Sequence, residues 1–388
     1  MPAIPLRHGV FLAPFHPVKD DPTLAIERDL ELMEWLDRLG YEEAWIGEHH
    51  SAGFEIIASP ELFIAAAAER TKRIRFGTGV ISLPYHNPLM VANRIIQLDH
   101  MTRGRIMLGV GPGLLVSDAV MLGIDPNKQR DRMVEGIDLI LRLMAGETVT
   151  EKTEWYELNQ ASLHLLPYTH PRPEICVASS VTPSGGRVAG KYGLGMLCVA
   201  ATNAVGFDVL GVNWKVAQDV AAEHGNAMDP NALRLVGPIH IAETREQARA
   251  NVQFGLHKWI DYFARVNPIA PRGTGTGDLV DNMINNAGAV IGTPDDAIAR
   301  IESLYGKQGD FGAFLQLATN WADWESTKKS YELFARYVRP HFTGANKHRR
   351  ASLDYVTEHG VELAGRQRTA AMKAFAEHEA AQKSKAAE

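Results

Sequence analysis

The chain has 388 residues, 45% of them hydrophobic and 22% charged, an ordinary balance for a folded globular protein. Its formal net charge of -6 comes from interspersed acidic and basic residues, which argues against a nucleic-acid binder or a polybasic membrane contact. Cys176 and Cys198 lie in apolar runs and read as small buried hydrophobes, no stretch is long enough to span a bilayer, and a cytoplasmic protein is expected.

The first predicted strand is Gly9 to Ala13, followed by Phe15-His16-Pro17. Asp21-Pro22 opens a helix as cap and first-turn proline. Ile26, Leu30, Met33, Leu36 and Leu39 then recur at steps of three and four until Gly40. A short apolar strand from Tyr41 ends in Glu48-His49-His50. Strand side chains alternate, so the two imidazoles are expected to point in different directions, one of them into a pocket. Ser59-Pro60 begins a helix that ends near Thr71. Ile74 to Leu83 is the third strand, interrupted by Gly77 and Gly79, where a bulge or a close backbone approach is expected. A helix from Pro88 stops at Thr102-Arg103-Gly104. Arg105 to Val110 is the fourth strand, running into Gly111-Pro112-Gly113, a loop and a helix from about Arg130 to Met144.

Between residues 147 and 173 the rhythm lapses, and Trp155 and Tyr156 suit a small hairpin. Glu174 to Ser180 returns as a continuous apolar strand, the pattern of a buried parallel strand. A short helix from Gly186 to Lys191 leads to a strand from Leu194 to Ala200. A helix from Phe207 to His224, a strand from Leu233 to Ala242 and a long helix from Thr244 to Val266 follow. Residues 267–289, dense in glycine and threonine, read as a lid or as a plain surface excursion. Thr293-Pro294 starts another helix, Gly312 to Leu317 is the eighth strand, and Ser330 to Val338 closes the fold before Pro340.

Eight strand–helix units predict an α/β protein, a (β/α)8 TIM barrel over residues 1–343 with rim insertions at about 147–173 and 267–289. Residues 344–388 are polar and read as a helical or frayed tail. An open doubly wound sheet is the alternative, but the first strand is not followed by the glycine fingerprint of a dinucleotide site.

Chemistry-bearing residues collect at the predicted C-terminal ends of strands, the edge on which barrels build active sites. No metal site is expected: His-x-His and H-E-x-x-H are absent, and adjacent His49 and His50 cannot easily share one ion. A G-x-S-x-G nucleophile elbow is also absent. Ser179-Ser180 with Ser184-Gly185 stands at a strand end before a helix start, where hydroxyls and free N–H groups suit a phosphate dianion. The alternative there is an N-cap and its turn.

Four phrases carry a resemblance. They are Glu48-His49-His50, Gly77 to Pro84, Gly104-Arg105 with Leu108 to Gly111, and Tyr331 to Arg336 with Val338 and Pro340. Together they resemble the bacterial luciferase-like flavin-dependent monooxygenases from about Leu6 to Phe342. Within that family, Phe15-His16-Pro17, Ala44 to Pro60 and Asp99 to Gly113 are similar to a branch that oxidises monoterpenes.

The resemblance implies a barrel that takes reduced FMN from a separate NAD(P)H-dependent flavin reductase, uses O2 as co-substrate and forms a homodimer. It implies a cis peptide at Gly79-Val80 beside Thr78, and His49 as the catalytic histidine with Glu48 and His50 as orienting neighbours. The FMN phosphate would lie around Ser179, Ser180, Ser184 and Gly185, near Gly111 and Gly113. Luciferase has a cysteine and an arginine where this chain has Gly111 and Pro112, so Arg130 or Arg132 is the candidate for the missing cation. Phe15, Trp45, Tyr85 and Trp321 are candidates to line an apolar pocket, with core packing as the alternative for each. The expected function is a two-component FMNH2-dependent monooxygenase. It would insert one oxygen atom from O2 into a small apolar, terpene-like substrate through a flavin hydroperoxide. A deazaflavin-dependent dehydrogenase or reductase, or a non-catalytic flavin-binding protein, are the alternatives.

Overall fold

Short strands that are apolar on both faces need cover on both sides, which parallel strands with crossover helices supply. A computed structural model of the chain describes residues 4–13, 15–266 and 277–386. Its barrel strands are β1 (Arg7–Leu12), β2 (Glu43–Ile46), β3 (Arg75–Thr78), β4 (Ile106–Gly111), β5 (Glu174–Ser179), β6 (Gly195–Cys198), β7 (Leu233–Ile241) and β8 (Ala313–Ala318). Each pairs in parallel with the next, and β8 pairs with β1, Arg7 opposite Ala313, to close a (β/α)8 TIM barrel. A short strand, Val290–Gly292, pairs in parallel with the last residues of β7, Ile239 opposite Val290. The alternation of helix and strand was legible, but this extra strand was not.

Local chemistry sets the helix ends. Asp21 accepts the Leu24 N–H at the start of Pro22–Leu39, and Gly40 ends that helix at φ +81°. The long helix expected from Thr244 to Val266 is two helices, Arg245–Val252 and Leu256–Val266. Gly255 breaks it: its N–H donates to the Trp321 carbonyl at 2.8 Å, and a Cβ there would stand 2.2 Å from the Asn320 oxygen. The closing helix is likewise longer than expected, with Trp324–Leu333 running through a π-turn, Phe334–Val338, into Arg339–Thr343. Residues 149–161 form an antiparallel hairpin, as expected for the first insertion. Of the second insertion, 267–276 lie outside the described residues, and Leu279–Asn286 is helical. A second compact unit begins at Thr343 and contains the helices Lys347–Glu358 and Gly360–Lys385. No helix among the described residues is long and apolar enough to cross a membrane.

The barrel interior is filled by Trp45, Met107, Cys176, Leu197, Val236, Ala313 and Leu315. Trp45 fits because Gly77 and Gly109 lack side chains: a Cβ would come within 2.4 Å and 3.0 Å of its ring. At the N-terminal ends of the strands a charged plug lies beside it. The Arg234 guanidinium donates to both oxygens of Glu43 at 2.9 and 3.0 Å and to both of Glu174 at 2.6 and 2.9 Å. It also sits 5.1 Å from the Trp45 ring centroid, while the Trp45 indole N–H donates to Glu43 at 3.0 Å. This corrects the expectation that Trp45 lines a substrate pocket. Alternation puts it on the same face as Glu43, so it is tied to the plug and fully buried. A separate apolar cluster lies with the late helices and includes Phe15, Leu256, Trp259, Tyr262, Met283, Ile291 and Trp321.

Candidate active site

Beyond β2 the chain presents Glu48, His49 and His50 in succession, and alternation separates their roles. Glu48 is buried, and its Oε2 accepts the Ser82 backbone N–H at 2.7 Å. Its Oε1 meets Nε2 of His50 at 2.7 Å and Nε2 of His86 at 2.6 Å. Burial alone would raise this carboxyl, but the hydrogen bonds from His50 and His86 pull it down to about 2. His50 is raised in turn by that bond. The three polar atoms lie within 4.8 Å of one another. Glu48 Oε1 stands at hydrogen-bond length from each of the two imidazoles, closer than the roughly 3.4 Å between two ligands of one tetrahedral zinc.

His49 points the other way. Its Nδ1 is 3.0 Å from Asp118 Oδ2, and its Nε2 is 3.4 Å from Glu55 Oε2. Asp118, on the Val116–Met121 helix, also accepts the Ser51 hydroxyl and the His50 backbone N–H. Glu55 accepts the Tyr262 hydroxyl at 2.7 Å and is held by an antiparallel bridge between its backbone and Phe15. Burial disfavours charge on His49, but Glu55, then Asp118, then Glu48 outweigh it and raise the imidazole above its ordinary 6.5. His86, Asp118 and Glu55 were not foreseen from sequence. Asp118 is the single charge in the apolar run 114–122, and Glu55 stands between Phe54 and Ile56-Ile57. A lone carboxylate in an apolar run was the available signal.

The other expected residues divide. The Gly79-Val80 peptide is cis. Thr78 does not present its hydroxyl to a ligand: Oγ1 donates to the Gly109 carbonyl at 2.7 Å and accepts the Gly109 N–H at 2.9 Å, clamping β3 to β4. Gly111 makes room for Val80, whose Cγ2 would lie 2.6 Å from a Cβ there. Gly113, at φ +93°, makes room for Tyr85, whose hydroxyl would be 2.2 Å away. Tyr85 belongs to the polar side, taking an N–H of buried Gln129 at 2.9 Å and standing edge-on to His50. Phe15 and Trp321 both sit in the apolar cluster. Phe15 stacks on Phe54 with centroids 5.5 Å apart, Phe54 packs on Tyr262 at 4.7 Å, and Trp321 meets Trp259 edge-on at 5.5 Å.

At the end of β5, the Ser179 hydroxyl is buried beside the Cys198 thiol, while Ser180 is exposed. The Ser184–Tyr192 helix begins without a side-chain cap, so its first-turn N–H groups are open to an anion. Gly185 packs on the Ala178 carbonyl, where a Cβ would stand 2.4 Å from the oxygen. Ser184 Oγ is 2.9 Å from Thr182 Oγ. Arg130 is exposed, and Arg132 lies over the Trp155 ring at 5.6 Å. Arg187 stands in the first turn of the Ser184–Tyr192 helix and is exposed.

The chain matches the luciferase-like monooxygenase family over residues 6–310. It is 51% identical to limonene 1,2-monooxygenase of Rhodococcus erythropolis over 337 residues, 87% of this chain and 86% of that protein. It is 45% identical to 4-hydroxyprotoasukamycin monooxygenase of Streptomyces nodosus subsp. asukaensis over 359 residues, 91% of this chain and 96% of that one. Among solved structures, the oxygenating constituent of 3,6-diketocamphane monooxygenase from Pseudomonas putida, in complex with FMN, has the same fold. It aligns with a TM-score of 0.74 at 23% identity, covering 86% of this chain and 98% of that one.

Proposed function

The chain belongs to the luciferase-like monooxygenase family and is a flavin-dependent monooxygenase, and on that premise we propose that it transfers one oxygen atom from O2 to a small apolar, terpene-like substrate. We propose reduced FMN as its flavin, supplied by a separate NAD(P)H-dependent reductase. The observation that carries this reading is His49, set between two buried carboxylates and joined through Glu55 and Tyr262 to an aromatic cluster.

The residues present fit FMN. The uncapped start of the Ser184–Tyr192 helix and the exposed Ser180 together would make a cradle for a phosphate dianion. When bound, reduced FMN supplies oxygen activation and delivery of one oxygen atom. The protein's share is to orient, to exclude water and to hold a proton. Phe15, Tyr262 and Trp321 form a buried aromatic cluster that keeps water out. Partly exposed Phe54, packed on Phe15 and Tyr262, is the part of it an apolar substrate would reach first. His49 holds a proton at a ring nitrogen, and Asp118 fixes the plane of that ring. The Glu48–His50–His86 group stays one residue away and holds the loop through Ser82.

The test is rapid mixing of the protein with photoreduced FMN and then with oxygenated buffer, following the flavin spectrum. Slow reoxidation that accelerates when limonene is added, with an oxygenated product, supports the proposal. Reoxidation at the rate of free flavin, with no binding of reduced FMN, refutes it and directs attention to deazaflavin hydride transfer.

A further inference from the structure

Both ring nitrogens of His49 face carboxylates, Asp118 at Nδ1 and Glu55 at Nε2, and those two acid side chains are only 2% and 8% exposed. A neutral imidazole has one N–H, so either tautomer would set a nitrogen lone pair against a carboxylate oxygen. In a site this dry, water does little to screen that repulsion. Protonating both nitrogens removes it. Glu55 is not free to swing aside, because Tyr262 donates to its other oxygen at 2.7 Å and its backbone is bridged to Phe15.

We infer that Glu55, held in place by Tyr262, is a positioning residue that keeps His49 as an imidazolium and so makes it the resident acid of the site. The inference rests on the monooxygenase reading only for the use of that acid; its charge state follows from the geometry. The charged groups around His49 are Asp118 from its helix, Glu55 from the following loop, and Glu48 and His50 beside it. The charge on His50 is taken up by Glu48 at 2.7 Å, which leaves the negative field at His49 dominant. Tyr262 is also a member of the aromatic cluster, so one hydrogen bond ties the acid to the wall that an apolar substrate would touch.

The experiment is an NMR titration of the histidine Cε1–H signals in the full-length, flavin-free protein. His49 is assigned among the 15 histidines by the signal lost in His49→Ala. In wild type, its midpoint should lie above the ordinary histidine value. Glu55→Gln and Asp118→Asn should each weaken its proton affinity by roughly tenfold, the effect of removing an opposite charge at this range. A Glu55→Gln midpoint equal to wild type overturns the inference. If that variant fails to fold, Tyr262→Phe decides, because it deletes a single hydroxyl; an unmoved midpoint there overturns it equally. In turnover, the alkaline limb of the kcat/KM profile should move to lower pH together with the NMR midpoint. A uniform loss of rate with an unmoved limb would make Glu55 merely structural and also overturn the inference. The titration needs no flavin, so its outcome is separate from the oxygenase reading, which fails by the absence of reduced-FMN binding.

Discussion

Replacing Arg234 by methionine tests whether the charged plug beneath the site holds the barrel together. The guanidinium is fully buried and donates to both oxygens of Glu43 and both of Glu174. Without it, Glu43 keeps the Arg7 Nε–H at 2.8 Å, the Trp45 indole at 3.0 Å and the more distant Arg75 guanidinium at 3.8 Å. Removing one partner of a buried ion pair costs about 3–5 kcal/mol, because it strands a charge in a dry interior. Acidity gives a second figure. Burial pushes the Glu43 carboxyl up, Arg234 beside it pulls harder, and the result is about 2 against an ordinary 4.5. That depression corresponds to about 3 kcal/mol of stability at neutral pH. Because the folded-state value is the lower one, this contribution is complete above the ordinary carboxylate range. It is lost as pH falls from about 4.5 toward 2. Urea unfolding followed by tryptophan fluorescence, at pH 7 and again at pH 3, is the assay. Arg234→Met should lose about 3–5 kcal/mol at pH 7, and its gap to wild type should narrow at pH 3. A loss below about 1 kcal/mol, the range of an exposed pair, or a gap independent of pH would refute the reasoning.

Three further outcomes are expected. His49→Ala should lower product formation by about 10²–10⁴-fold while reduced flavin is still consumed, a loss of coupling visible as oxygen uptake without product. Product yields equal to wild type would end the assignment of His49. Gly185→Ala would put a Cβ 2.4 Å from the Ala178 carbonyl and displace the start of the Ser184–Tyr192 helix. It should weaken FMN binding by about tenfold and leave riboflavin binding unchanged, since only FMN carries the phosphate; equal losses for both would sink the cradle. Phe15→Ala removes a ring stacked on Phe54 and should raise KM for an apolar substrate by roughly tenfold or more, with kcat less affected. An unchanged KM would place that ring outside the substrate's reach.

The order of strands and helices was legible because hydrophobic period is a local property, and caps such as Asp21 and Gly40 declare themselves in the chain. Glu48-His49-His50 was legible for a related reason: three ionisable residues closing an apolar strand stand out. Their partners did not, because nothing local links His49 to Asp118, 69 positions away, or Glu55 to Tyr262, 207 positions away. Trp45 was misassigned because alternation tells which residues share a face but not which face looks inward. Its inward direction became visible only through register, which sets Trp45 opposite Gly77. Thr78 was read as a ligand contact for the same reason, since the Gly109 backbone that occupies its hydroxyl belongs to another strand. The break at Gly255 likewise depends on Asn320 and Trp321, far along the chain.

Trp45, Gly77 and Gly109 occupy a single volume drawn from three neighbouring strands. As sequences diverge from this one, a methyl group at position 77 can be accommodated only where the ring at 45 has shrunk, whereas one at 109 would also stand 2.1 Å from the Thr78 carbonyl oxygen. Positions 45 and 77 should therefore drift as a pair, with 109 held to glycine by the Thr78 backbone, leaving a covariation signal unrelated to substrate choice. A mutational library that varies position 45 alone can explore only smaller side chains, whereas rim positions such as Phe15 can change without touching that shared volume.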